Sequence, residues 1–377
     1  MAEFKRSVLT VEKSFRRRAR TAVSRVLTVF GGARGDSRTH LDPAAIRTVL
    51  VVRMNGRMGN TLFLTPLLTA IHAVLPQATI DVFVSYPDAA DLLQGLPGLR
   101  HVITLPHMHW WDFRTSLRTL KDFRSRRYDL VIDPVPNSSG GRVALLFCRA
   151  RWRLGFTDDE QWLRLDYAAE LPPGVRHEAL RPLALVQQAF GYQFAPGAPR
   201  LRVANSPDEL AAGARLIAQR MAQATRQAAP DWPTIGFFAS ARGKKDLGPD
   251  WWRDFWEAYL DLIPATAPLE VLPAADHPPV HPDFATVHCQ SPRMLAATIA
   301  HVDGFFCADT GPMHLASAAG VPTIAFFDKT KPAAFGPIKP EDTVLKITGM
   351  TPRQVAEACA GIVAGRGAAE RGETPAW

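Results

Sequence analysis

The chain has 377 residues, 47% hydrophobic and 21% charged, the composition of a globular protein long enough for two cores. Its four cysteines (Cys148, Cys289, Cys307 and Cys359) lie far apart in mostly apolar surroundings, which argues against a disulfide framework or a zinc site. Most of the net charge of +8 sits in residues 1–30, where eight Lys or Arg face only Glu3 and Glu12; the nearly balanced remainder makes the body a poor polyanion binder.

In chain order, the first element is a helix over residues 5–30. Val8, Val11, Phe15, Ala19, Ala22 and Val26 recur at three- and four-residue steps, and Arg16, Arg17, Arg18, Arg20 and Arg25 crowd the remaining circumference. Such a basic amphipathic helix suits the headgroup plane of an anionic membrane. The alternatives are a helix packed on the body, a loose arm or a transit peptide. No apolar run is long enough to cross a bilayer. "GGARGDSRTHLDP" then reads as a linker.

From Thr48 short β-branched runs alternate with helical stretches. "TVLVVRM" is a strand, followed by a helix from about Thr61 to Val74; "TIDVFVS", "HVITL", "YDLVIDP" and "RWRLGF" continue the series. "HEALRPLALVQQAFG" reads as a helix closed by a glycine cap. The prolines of "YQFAPGAPRLRVANSPDE" mark a domain boundary. The alternation then restarts, with strands at "TIGFFAS", "LEVLPA", "TVHC", "GFFCAD" and "TIAFFD" and helices at Trp251–Leu262, Pro292–His301 and Pro312–Ala319. This rhythm predicts two doubly wound α/β domains with a cleft between the carboxyl ends of their strands.

Two stretches carry chemistry. "FFCADTGPMHLASAAGVPTIAFF" runs from a strand ending at Asp309 through a tight turn into a helix of small residues. Thr310 stands near the cap and Pro312 at the helix start, so the free N–H groups there offer a phosphate site. "VVRMNGRMGNTLFLTP" likewise runs from strand to glycine turn to helix, with Asn60 at the mouth.

Together with "YDLVIDP" and "RWRLGF", these stretches resemble the family 9 glycosyltransferases, the ADP-heptose:lipopolysaccharide heptosyltransferase group, from about residue 48 to about 362. The resemblance implies a GT-B fold with the nucleotide sugar on the C-terminal domain and the acceptor on the N-terminal one. It also implies inversion and no metal or cofactor beyond the donor. The corresponding division is a basic helix and linker over 1–46, an acceptor domain over 47–200 and a donor domain over 201–377. Asp309, Thr310, Gly311, Pro312, Met313 and His314 match the D-[ST]-G-x-x-H segment that holds the diphosphate. In "ARGKKDLGPDWW", Lys245 is the better match to the phosphate-binding lysine, with Lys244 adjacent and Arg242 assisting; a solvated loop is the alternative. Asp276 occupies the position of the ribose-binding acid, and Thr330 is retained in "FFDKTKPAAFGP", where Asp328, Lys329 and Lys331 depart from the family pattern.

Asn60 stands where well-known members carry an aspartate base, and an amide takes no proton near neutral pH. Asp133 or a cleft histidine can replace it, the leaving diphosphate can take the proton, or catalysis has been lost and binding kept. On the acceptor side, Arg57 and Gly59 flank the turn, with Arg57 suited to an anionic acceptor. "HMHWWDF" sets His109 and Trp110, beside His107 and Trp111, where an indole can stack on a sugar. The expected activity is transfer of heptose from ADP-heptose to a lipopolysaccharide core or related lipid-linked glycan, in the cytoplasm at the inner face of the membrane, without nucleic acid. The alternatives are a silent sugar-nucleotide binder and a GT-B transferase using another donor.

Overall fold

The computed structural model describes residues 40–54, 56–104, 123–157, 165–195 and 200–370. The basic helix expected over residues 5–30, together with His109 and Trp110, lies outside them.

The first half holds β1 (Thr48–Arg53), α1 (Met58–Leu62), α2 (Thr65–Val74), β2 (Thr79–Val84), α3 (Ala89–Leu93), β3 (Leu99–Thr104), β4 (Arg127–Asp133), α4 (Ser139–Phe147), β5 (Arg149–Phe156), β6 (Tyr167–Ala169) and α5 (Leu183–Phe190). The second holds α6 (Pro207–Gln223), β7 (Thr234–Phe238), α7 (Pro249–Leu262), β8 (Ala267–Val271), β9 (Ala285–Val287), α8 (Pro292–Ile299), β10 (Gly304–Ala308), α9 (Gly311–Ala318), β11 (Thr323–Phe327), α10 (Pro332–Phe335), β12 (Thr343–Lys346) and α11 (Pro352–Glu370).

Each half is one parallel sheet, ordered β3-β2-β1-β4-β5-β6 and β12-β11-β10-β7-β8-β9. The strand order reverses beside β1 in one sheet and beside β7 in the other. Crevices open at the carboxyl ends of strands at such points. Continuous apolar runs make this possible, because a parallel strand is covered on both faces: Val49 to Val52 of β1 and all of β10 and β11 are buried. The C-terminal core is aromatic on one face, where Trp252, Phe255 and Trp256 of α7 pack on Phe237, Phe306 and Phe326.

The single helix expected from Thr61 to Val74 is instead two. Pro66 has no N–H to donate, so the chain turns at Phe63 and Leu64 and restarts as α2. The helix expected from His177 begins only at Leu183, after Pro182, and ends as expected on Gly191, whose φ is +66°. Two strands without a sequence reading, β6 and β12, add the outer edge to each sheet.

Side chains of α3 and α8 bolt the halves together. Asp91 of α3 accepts from Ser291 Oγ at 2.6 Å and Arg293 N at 3.2 Å, holding the start of α8. Arg293, buried, donates to Gln94 O at 2.6 Å and to Glu209 at 2.6 Å. No described helix is long and apolar enough to cross a membrane.

Candidate functional site

The two chemistry-bearing turns, far apart in sequence, meet. Helix α1 packs on α9 with their N-termini side by side. A Cβ on Gly59 would stand 2.7 Å from His314 Cδ2, and one on Gly311 would stand 3.3 Å from Met58 Sδ. Only glycine at position 59 allows this approach. Phe63, at the end of α1, stacks edge-on against His314 with ring centroids 4.6 Å apart.

On the C-terminal side Thr310 is the N-cap of α9 in extended conformation, and its hydroxyl makes no capping bond. The N–H groups of Gly311 and Met313 in the first turn, together with the helix dipole, therefore face the strand end available to an anion. Lys245 reaches the same spot: its Nζ lies 2.5 Å from Asp309 Oδ2 and 3.3 Å from Asp309 O. Lys244 is exposed, so tertiary structure separates the neighbouring lysines and sets Lys245 at the helix mouth. A small hollow beside this pair is lined by Lys245, Asp309, Phe326, Asp328, Lys329 and Thr330. Lys329 Nζ is 2.5 Å from Asp328 Oδ2, and this bond, with Thr348 adding, holds the Asp328 carboxyl below its ordinary range. Lys331 and Asp276 are exposed, Asp276 in the turn after β8. Arg242, also exposed, lies close enough to Tyr86 of the first half to act on its phenol, which burial and Asp88 push up.

His314, in the same segment, is buried. Burial pulls its pKa down to about 3, against the smaller opposing pull of Asp309, and its Nδ1 has no partner. It offers a dipole to the site, not a positive charge. His177 behaves similarly: it accepts from Ala179 N at Nδ1 and donates from Nε2 to Gly336 O at 2.8 Å, which selects one neutral tautomer across the domain seam.

On the N-terminal side Arg57 is exposed at the N-cap of α1, and Asn60 is half-buried one turn in. Asn60 Oδ1 accepts from Arg53 Nη2 at 3.3 Å. Arg53, at the end of β1, is buried, and desolvation lowers it to about 10 while Glu178 and Asp133 act in the opposite sense. Asp133 is corrected from candidate base to structural anchor. It is fully buried, its Oδ2 is 3.1 Å from Arg142 Nη1, and its Oδ1 accepts from Val135 N at 3.2 Å. A carboxylate enclosed with its counter-ion has no path to a substrate proton.

Two residues of the site had no sequence reading. Arg53 is the last residue of a strand that otherwise reads as a uniform apolar run. Glu178 stands in the loop before α5, half-buried, ion-paired with Arg181, its N–H donating to Ala334 O of the other half at 3.0 Å. A charged residue closing an apolar strand was the available signal for Arg53; nothing local marks Glu178.

Residues 293–361 match the sequence model of Glycosyltransferase family 9 (heptosyltransferase), a segment that includes all of α9 and its mouth. No protein of curated function matches the chain in sequence. The glycosyl transferase family 9 protein of Veillonella parvula superposes with a TM-score of 0.70 at 15% identity, over 84% of this chain and 97% of that one. ADP-heptose lps heptosyltransferase II of E. coli gives 0.65 at 19% identity, over 85% and 99%. E. coli heptosyltransferase WaaC, solved with ADP, gives 0.64 at 19%, over 84% and 99%. Both halves thus share the GT-B arrangement of two Rossmann-like domains. The chain is thus similar to Glycosyltransferase family 9 over the segment that holds α9, and it shares the fold of solved heptosyltransferases along most of its length.

Proposed function

We propose that the chain moves a sugar, first of all heptose from ADP-heptose, onto a lipopolysaccharide core or related lipid-linked cell-surface glycan, with inversion at the anomeric carbon. The observation carrying this reading is the abutment of the α1 and α9 mouths with Lys245 held at Asp309. The acceptor hydroxyl attacks the anomeric carbon from the N-terminal side while the bond to the diphosphate breaks. Negative charge grows on the leaving oxygens, where the N–H groups of Gly311 and Met313 and the Lys245 ammonium oppose it without a metal ion. Asp276 would contact the ribose and Thr330 the diphosphate. Arg57, beside Gly59, would receive an anionic acceptor. Asn60 orients the acceptor, and its proton passes to Glu178, the carboxylate acting on the Arg53 that holds Asn60. The related E. coli enzyme was solved with ADP and with ADP-2-deoxy-2-fluoro heptose, which supports the donor class. This reaction would run in the cytoplasm, at the inner face of the membrane.

Asn60 itself favours a second reading, a sugar-nucleotide binder without turnover. Incubation with a panel of nucleotide sugars and core acceptors separates them. Nucleotide release with a matching product mass supports transfer, release alone means hydrolysis, and tight binding without either supports the binder.

A further inference from the structure

The balanced charge of the body hides a segregation that only the fold produces. Strands β1 to β5 are all parallel, so their N-terminal ends share one edge of the first sheet, opposite the crevice. That edge is a row of arginines. Arg47 immediately precedes β1, Arg124 lies just ahead of β4, Arg127 opens β4, and Arg149 and Arg151 open β5; all five are exposed. The register sets Arg127 opposite Arg149. Arg100, on β3, extends the row to the far side of the sheet.

The acids near this edge are buried or already bonded. Asp81 is fully buried and held by Arg100 at 2.8 Å and by Tyr128 at 2.8 Å. Asp129 accepts from the backbone N–H groups of Arg47 and Thr48. Asp166 lies 3.7 Å from Arg153, and Asp42 caps a short 3-10 turn at Pro43–Ala45. Among these cations stands Phe147, the last residue of α4, 46% exposed. Arg151 lies over Trp152 at 4.0 Å from the ring centroid.

The chain also enters here. Leu41 donates its N–H to Ala189 O near the end of α5, and the 3-10 turn then leads directly to Arg47. His40, the first described residue, therefore stands near the arginine edge.

We propose that this edge is a docking face for the anionic surface of a lipid bilayer, with the five outward arginines meeting headgroups and Phe147 entering the interface. A row across neighbouring strands about 4.8 Å apart is broad and shallow, matched to a plane rather than to a groove. Arginines near an anionic leaflet each add attraction, and an apolar wedge beside them supplies the second anchor that stable association requires. Nucleic acid fits less well, because among the described residues this edge exposes a single large aromatic, Phe147, where base stacking uses several in series. The inference is independent of the sugar-transfer reading, since no residue of the crevice takes part.

The test is co-sedimentation of the full chain with vesicles of phosphatidylcholine, with and without phosphatidylglycerol, comparing wild type with a triple Arg127→Gln, Arg149→Gln, Arg151→Gln variant and with Phe147→Ser. ADP titration and thermal melting of each variant check folding, and Arg124→Gln combined with Arg47→Gln provides a second charge variant. Expected is binding of wild type to the anionic vesicles alone, weakened at least tenfold by either charge variant and severalfold by Phe147→Ser. Equal binding to neutral vesicles, charge variants that sediment like wild type, or duplex DNA bound more tightly than the anionic vesicles would each overturn it.

Discussion

Gly59 and His314 touch across the domain seam so closely that a side chain at position 59 would stand 2.7 Å from the imidazole. The ring cannot swing aside, because Phe63 covers it and it is buried. Gly59→Ala should therefore destabilise the protein by about 1–3 kcal/mol, the usual range for overpacking. Gly311→Ala meets only the flexible sulfur of Met58 at 3.3 Å and should lose under about 1 kcal/mol. Urea unfolding of the two variants measures the difference; equal losses would mean that the seam opens freely.

Lys245 and Lys244 should separate cleanly. Removing a charge-assisted contact to a diphosphate loses about 1.5–3 kcal/mol, so Lys245→Ala should weaken ADP binding by about ten- to a hundredfold. Lys244→Ala, at an exposed site, should remain within about twofold. Calorimetric titration with ADP reads both, and a reversed order would move the phosphate contact to Lys244.

The proton's route is open to kinetics. Asn60→Asp adds a carboxylate beside Arg53 and should change kcat about tenfold or more with ADP affinity nearly unchanged. Glu178→Gln should lower kcat by about a hundred- to ten-thousandfold, the span of a lost general base. If Glu178→Gln turns over normally, the leaving diphosphate or solvent takes the proton. Unchanged kinetics in Asn60→Asp would remove position 60 from the mechanism.

His314 sets the acid side of stability. Its folded pKa is pulled down from 6.5 to about 3 by burial, so between those values the unfolded chain binds the extra proton. Stability from this group is complete above about 6.5 and falls as pH drops toward 3, by up to about 1.4 kcal/mol per pH unit. Burial lowers His177 as well, adding loss in the same direction. Urea midpoints at neutral and mildly acid pH should show this slope, and His314→Gln should flatten it. A variant with the wild-type slope would assign the acid lability elsewhere.

The periodicities that a chain must carry to be buried on both faces of a parallel sheet are local. That is why β1, β2, β4, β10 and β11 and the caps at Thr310 and Gly191 were readable before any coordinates. The glycine turns and the phosphate segment were readable for the same reason, since free N–H groups at a helix start depend only on the strand–turn–helix order. Three-residue strands such as β6 are too short to show a period. Distance was not readable at all. Asp133 had the composition of a base, yet the helix after it brings Arg142 over its carboxylate. The burial of His314 comes from Phe63 and Gly59, which pack on its ring from another part of the chain. The entry of Arg53 and Glu178 into the site, and the arginine edge, arise from the fold bringing together residues far apart in sequence. Sequence alone decided the two doubly wound halves and the strand–turn–helix mouths, because hydrophobic pattern and turn chemistry are short-range. Tertiary structure decided which charges are paired, neutral or exposed, because desolvation and Coulomb interaction depend on what the fold brings within a few ångströms.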